Sequence, residues 1–152
     1  KQWTQFSSAS GAVFGSFGGA ILGYRFGRRR AYLGLCLGSL LTALIFFQTN
    51  SAFDAWFLVS VFFLGLVTAA FYGWLPLYLP ELFPTRVRAT GQGISFNFGR
   101  ILAAIGALQT GALLRSLGGS YPQACTLVSL IYLVGAIIIW WAPETKDRPL
   151  PE

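Results

Sequence analysis

A single arginine, Arg100, stands inside a long apolar stretch of this 152-residue chain. Its guanidinium is a planar fork of donors that fits a carboxylate through two parallel hydrogen bonds. Asn97 lies three residues earlier on the same helical face, and Phe96 lies one turn away. Together the three residue types could clamp an organic anion against an aromatic wall. Tyr72, Trp74 and Tyr78 are secondary candidates, since each joins an apolar ring to a polar atom. Trp74 and Tyr78 are four apart and share a face, with Tyr72 off it. All three fit interfacial anchoring equally, because Tyr and Trp gather at membrane boundaries. A further set is ionic and consists of Arg25, Arg28, Arg29, Glu81, Arg88 and Glu144. Such groups pair and part, which is the chemistry of a latch. Bond-making chemistry is poorly supplied. With no His and only two Cys, His-based catalysis and most zinc centres are excluded. The expectation is a binding protein, not an enzyme, with no cofactor and no metal.

The elements that position these groups follow from composition. The chain is 55 % hydrophobic and 11 % charged, with a mean hydropathy of +0.61. An average soluble domain carries roughly 25 % charged residues, so a soluble enzyme and a disordered tail are both excluded. Five apolar stretches, 7–23, 31–47, 56–79, 91–114 and 124–142, each match the roughly 17–25 helical residues that cross a hydrocarbon core. A signal peptide does not explain the first, because Arg-rich sequence follows it instead of preceding it. Arg100 falls about ten residues into the fourth stretch, about 15 Å deep by helical rise. A central Arg costs about 2.5–3.5 kcal/mol to insert, so it faces a cavity or a partner and marks a substrate path by default. The alternatives are pairing with an acidic residue elsewhere and snorkelling to the interface.

Charge orients the spans. The net charge of +6 could suit nucleic acid, but in so apolar a chain it marks the inner face of a membrane. The connection after the first stretch holds Arg25, Arg28, Arg29 and Arg30, the third holds Arg86 and Arg88, and the tail holds Lys146 and Arg148. The alternating connections are nearly free of basic residues, which predicts an N-terminus outside and a C-terminus in the cytoplasm. The expected partner is a lipid bilayer, with no nucleic acid. The chain has no Met, so Lys1 reads as an internal cut or a processed start. Small residues recur every fourth position at Gly11, Gly15, Gly19 and Gly23, at Gly34 and Gly38, and at Gly99, Ala103, Ala107 and Gly111. Such faces let helix backbones approach closely in lipid. Pro76 inside the third stretch predicts a break or kink. Cys36 and Cys125 fall in different spans and read as packing residues without a disulfide.

Three segments resemble one family. Ala20-Ile-Leu-Gly-Tyr-Arg-Phe-Gly-Arg-Arg29 is similar to the signature loop of the major facilitator superfamily, G-x-L-A-D-R-x-G-R-K. Arg25, Gly27, Arg28 and Arg29 match, while Ala20 and Tyr24 depart in the manner of the loop in the family's C-terminal half. Pro80-Glu-Leu-Phe-Pro-Thr-Arg-Val-Arg-Ala-Thr-Gly91 resembles the E-[LI]-[FY]-P-T-x-x-R-x-T-G segment of the organic-ion and metabolite–proton branches. Pro143-Glu-Thr-Lys146 resembles the P-E-T-K after the last helix of sugar porters. The resemblance implies an all-α membrane protein whose five transmembrane helices are the last five of about twelve in a major-facilitator fold. It implies a partial C-terminal bundle, with an N-terminal half of the same transporter as partner. It also implies that the ionic set shuts the cytoplasmic side in the outward-facing state. In the organic-anion and aromatic-acid branches a helix Arg stands twelve residues after the motif Arg, as Arg100 follows Arg88.

The function expected is secondary active transport of a small organic anion, an aromatic or aliphatic carboxylate, by alternating access. Symport with protons is common in similar families, and the coupling carboxylate would lie outside this chain. A sugar or polyol porter is the first alternative. Against it, Gly73-Trp-Leu-Pro-Leu-Tyr-Leu-Pro-Glu81 stands where sugar porters carry G-P-x-x-W. A receptor or scaffold that keeps the fold without transport is the second.

Overall fold

The computed structural model describes residues 2–50 and 53–152, and the described residues contain helices and no strand. The order is α1 (Gln2–Phe26), α2 (Arg28–Thr49), α3 (Ala55–Leu82), α4 (Arg88–Ser116), α5 (Tyr121–Ser129) and α6 (Ile131–Ile138), closed by a 3-10 turn over Ile139–Trp141. The last three form one span, Tyr121–Trp141, so five long helical segments stand where five apolar stretches were expected. Each starts earlier than its apolar stretch, because helical hydrogen bonding continues into the polar flanks. Three of the segments, α2, α3 and Tyr121–Trp141, are long and apolar enough to cross a membrane by length and composition. The other two are diluted by Ser, Gln and Gly in α1 and by Gln92, Asn97, Arg100 and Gln109 in α4.

Local chemistry sets the boundaries. Gly27 separates α1 from α2 at φ 91°, a left-handed conformation that other residues adopt only under strain. Asp54 caps α3 by accepting from the Phe57 amide at 2.8 Å. Phe83 precedes Pro84 and leaves the helical region, which ends α3. Gly118 and Gly119, both at positive φ, stop α4. Their amides donate back to the carbonyls of Arg115 and Leu114, the Schellman arrangement. Pro76 does not break the third helix. Pro76 and Pro80 both lie inside α3, which is assigned as one helix, and the α3–α4 connection shrinks to residues 83–87. Prolines are tolerated this way in membrane helices, where neighbouring groups take up the freed carbonyls.

The tightest pairing joins α1 to α3. Gly11, Gly15, Gly19 and Gly23 are all buried on one face. A Cβ added to Gly11, Gly15 or Gly19 would sit 2.1, 1.9 or 1.9 Å from the carbonyl oxygens of Phe62, Leu66 and Ala70. The contact is reciprocal, since a Cβ on Gly65 or Gly73 would meet the carbonyls of Ser8 or Ser16 at 2.5 and 1.7 Å. The two backbones therefore touch over four turns, as small-residue faces in lipid allow. The Gly99–Gly111 stripe behaves differently. Gly99, Gly106 and Gly111 meet nothing within 4 Å, none of the α4 residues is buried, and α4 contacts only α3 and α5. Large apolar groups such as Phe6, Phe17, Ile21, Leu41 and Phe63 point outward, which suits a lipid surround. Cys36 and Cys125 are both free thiols.

Candidate functional site

The buried cluster of the bundle gathers where the α1–α2 loop, the end of α3 and the tail meet. Ala31, Leu35, Ala70, Trp74, Tyr78 and Ile139 form it. Tyr32, Trp74 and Tyr78 follow one another as tilted rings, with centroids 4.7 Å apart at each step. This aromatic column ends against a polar network.

Arg28 is its centre. The residue is 6 % exposed, yet each guanidinium nitrogen has a partner. Nε donates to Glu81 Oε2 at 2.9 Å, Nη2 donates to Glu81 Oε1, and Nη1 donates to the Gly23 carbonyl at 2.8 Å. The pair is bidentate, the geometry that binds a carboxylate most strongly. Thr145 Oγ1 donates to the same Glu81 Oε2. Sequence reasoning did not name Thr145, although the P-E-T-K segment contains it.

Glu144 does not pair with an arginine side chain. Its two oxygens accept from the backbone amides of Arg28 at 2.8 Å and Arg29 at 3.1 Å, which are the first donors of α2. A carboxylate there satisfies orphan amides and complements the helix dipole. Gly27 leaves room for it, since a Cβ at that position would be 3.1 Å from Glu144 Oε2. Burial alone would push the Glu144 carboxyl up. The amides of Arg28, Arg29 and Lys146, with the Arg28 charge, instead hold it below the usual carboxylate range.

The remaining polar contacts fasten the tail across the bundle end. Arg29 Nε donates to the Ala142 carbonyl and Lys146 Nζ to the Arg25 carbonyl. Arg88 donates to the carbonyls of Pro80, Phe83 and Pro151 and makes no ion pair with Glu81. The Trp74 indole donates to the Arg28 carbonyl at 3.0 Å, and the Tyr78 hydroxyl to the Pro143 carbonyl at 2.8 Å. Both rings are buried with their donors engaged, whereas Tyr72 is 65 % exposed on the other side of α3. The structure thus brings Arg28, Arg29, Glu81, Glu144, Trp74 and Tyr78 together. Among the described residues the Arg25 side chain has no hydrogen-bond or ion-pair partner.

Arg100 lies apart from this network. It is exposed on α4, twelve residues past the helix start, with its guanidinium 5.9 Å from the Phe96 ring centroid. No carboxylate pairs with it among the described residues. Asn97 is exposed beside it and donates its amide to the Gly93 carbonyl at 2.8 Å. Arg100, Phe96 and Asn97 therefore form one exposed patch, and none of Tyr72, Trp74 and Tyr78 is bonded to it. A cavity of 1280 Å³ between α4 and the last span lies beside this patch without Arg100 in its wall. Leu102, Ala103, Ala107, Ile131 and Val134 line it, with Gln109 and Thr110 as polar members.

Comparison with known proteins agrees with the motifs. The family described as Sugar (and other) transporter matches residues 2–152. A Haemophilus influenzae protein named for metabolite transport is 29 % identical over 83 % of this chain and 30 % of its own length. A Bacillus subtilis protein named as a niacin/nicotinamide transporter is 32 % identical over 90 % of the chain and 34 % of itself. Member 7 of solute carrier family 22 from Rattus norvegicus is 33 % identical over 84 % of the chain and 23 % of itself. The chain spans between 23 % and 34 % of the length of these three relatives. Motifs, helical architecture and a family match along almost the whole sequence lead to one assignment: the chain belongs to the sugar (and other) transporter family of the major facilitator superfamily.

Proposed function

We propose that the chain forms the C-terminal part of a longer secondary transporter that moves a small organic anion by alternating access around a site near the membrane midplane. The observation that carries this reading is Arg100. It is an arginine twelve residues into α4, backed by an aromatic ring and unpaired with any carboxylate among the described residues. Carboxylates match its donor fork. Asn97 and Phe96 complete the proposed contact, and Tyr72, on the exposed side of α3, is a further candidate. Trp74 and Tyr78 are assigned to the gate, because their polar atoms already hold Arg28 and Pro143.

The gate is the Arg28–Glu81–Glu144 network with Arg29, Arg88 and the tail. It lies at the end rich in basic residues, read as the cytoplasmic side, with the N-terminus of the chain outside. Closed, it favours the outward-facing state, and its rupture accompanies opening inward. Proton-coupled symport is the expected energy source. A sugar or polyol substrate is the second reading, favoured by the description of the matching family.

Uptake by intact protein in proteoliposomes tests the proposal, with benzoate-like acids and hexoses as competing substrates. Arg100→Ala is expected to abolish acid uptake with protein level unchanged. Retained uptake with an unaltered KM removes the substrate role. Competition by hexose alone selects the second reading.

A further inference from the structure

Both α1 and α2 lean on α3 and leave a furrow between them. It has a volume of 350 Å³, and its floor is α3. Its walls include Phe14, Gly18, Leu22 and Phe26 from α1 and Gly34 from α2, and Arg30 stands at the loop end. The stretch of α1 from Phe14 to Phe26 runs about 18 Å along the helix axis. Gly18 and Gly34 would meet nothing within 4 Å if given a Cβ, so the furrow is open at both walls.

Arg30 differs from its neighbours. Arg28 and Arg29 are consumed by Glu81 and Ala142. Among the described residues Arg30 makes no side-chain hydrogen bond or ion pair, and it is exposed. A further apolar helix laid in the furrow would cover this charge without answering it. An apolar chain ending in an anion answers both the walls and the charge. Basic pockets between membrane helices take acidic headgroups in this way.

We propose that the α1–α2 furrow binds one anionic phospholipid, with an acyl chain along Gly18 and Gly34 and the headgroup phosphate on Arg30. The site is separate from Arg100, so it stands or falls independently of the substrate reading.

The test is native mass spectrometry of the intact protein in detergent. The probes are phosphatidylglycerol, phosphatidylcholine with the same acyl chains, and glycerol 3-phosphate as a headgroup without tails. The wild type is expected to retain phosphatidylglycerol in preference to phosphatidylcholine. Arg30→Gln should cut that preference about fivefold, the factor corresponding to one basic residue at an anionic surface. Gly34→Leu should displace both lipids without lowering the melting point, since a Cβ at this position meets nothing within 4 Å. Glycerol 3-phosphate should not compete. An undiminished preference in Arg30→Gln overturns the proposal, as does unchanged retention in Gly34→Leu. Competition by glycerol 3-phosphate makes the site one for free phosphate and also overturns it. An equal loss in Arg25→Gln reduces it to a diffuse basic loop, with the same consequence.

Discussion

Glu81 holds Arg28 side-on, with Nε 2.9 Å from Oε2 and Nη2 on Oε1, across a side-chain environment only 7 % and 15 % exposed for the two partners. Exposed ion pairs contribute roughly 0–1 kcal/mol. A buried pair behaves differently, because removing one partner strands the other's charge. Glu81→Ala is therefore expected to destabilise the protein by about 3–5 kcal/mol, read as a lower unfolding midpoint in detergent. Arg28→Met combined with Glu81→Leu should recover most of that loss, since matched apolar groups often replace a buried pair without penalty. The double variant should still favour the inward-facing state, because the latch is gone. Labelling of an outward-side cysteine separates the two effects. Wild-type labelling in the double variant would remove the gating role and leave a purely structural pair.

Glu144 makes the same end of the bundle sensitive to acid. A carboxyl held below its ordinary value of 4.5 stabilises the fold in full above that value. That contribution is lost as pH falls through the lowered folded value. Wild-type melting should hold from neutral pH down to about 4.5 and then fall. Glu144→Gln should start lower at neutral pH and lack this part of the acid limb. Parallel melting curves for the two proteins across that range would show that the α2 amides do not depend on the charge.

Adjacent glycines on α1 should respond oppositely to one methyl group. Gly19→Ala puts a Cβ 1.9 Å from the Ala70 carbonyl, so α1 and α3 must separate. Gly18→Ala meets nothing within 4 Å and gains about 0.5–1 kcal/mol of helix preference. Melting curves of the two variants are expected to fall on opposite sides of the wild type. Equal behaviour would mean that the α1–α3 contact is looser than its geometry.

Much of this was legible in the sequence, for identifiable reasons. Hydrophobic length located the five long helical segments, three of them long and apolar enough to cross a membrane. Fourfold glycine spacing gave the α1 face, because a helix repeats near that period. It gave no partner for the face, and nothing in α1 alone points to Phe62, Leu66 and Ala70. The same spacing in α4 leads to open space, so spacing alone does not establish a contact. Charge type grouped Glu144 with the ionic set expected to pair through side chains. Its actual role, accepting from the Arg28 and Arg29 amides, depends on backbone groups that carry no letter in the sequence. Trp74 and Tyr78 were correctly placed on one face. Whether that face turns toward a substrate path or toward Arg28 and Pro143 depends on the tail, which returns from far along the chain.

Arg100 yields a graded prediction because its two attributes, charge and shape, can be removed separately. Arg100→Lys keeps the positive charge and loses the planar fork, so an acid substrate should still be carried with a higher KM and little change in kcat. Arg100→Gln loses the charge and should fail for acids whatever their ring structure. Phe96 contributes through the 5.9 Å ring contact. A cation–π contact at an exposed site amounts to about 0.5–1 kcal/mol. Phe96→Leu should therefore raise KM about two- to fivefold by that term, while Phe96→Tyr should leave it near the wild-type value. Uptake kinetics of one aromatic acid across the four variants give the order. If Arg100→Lys transports as the wild type does and Arg100→Gln follows it, the guanidinium is not the anion's partner. If Phe96→Leu alone is silent, the arginine binds without the ring.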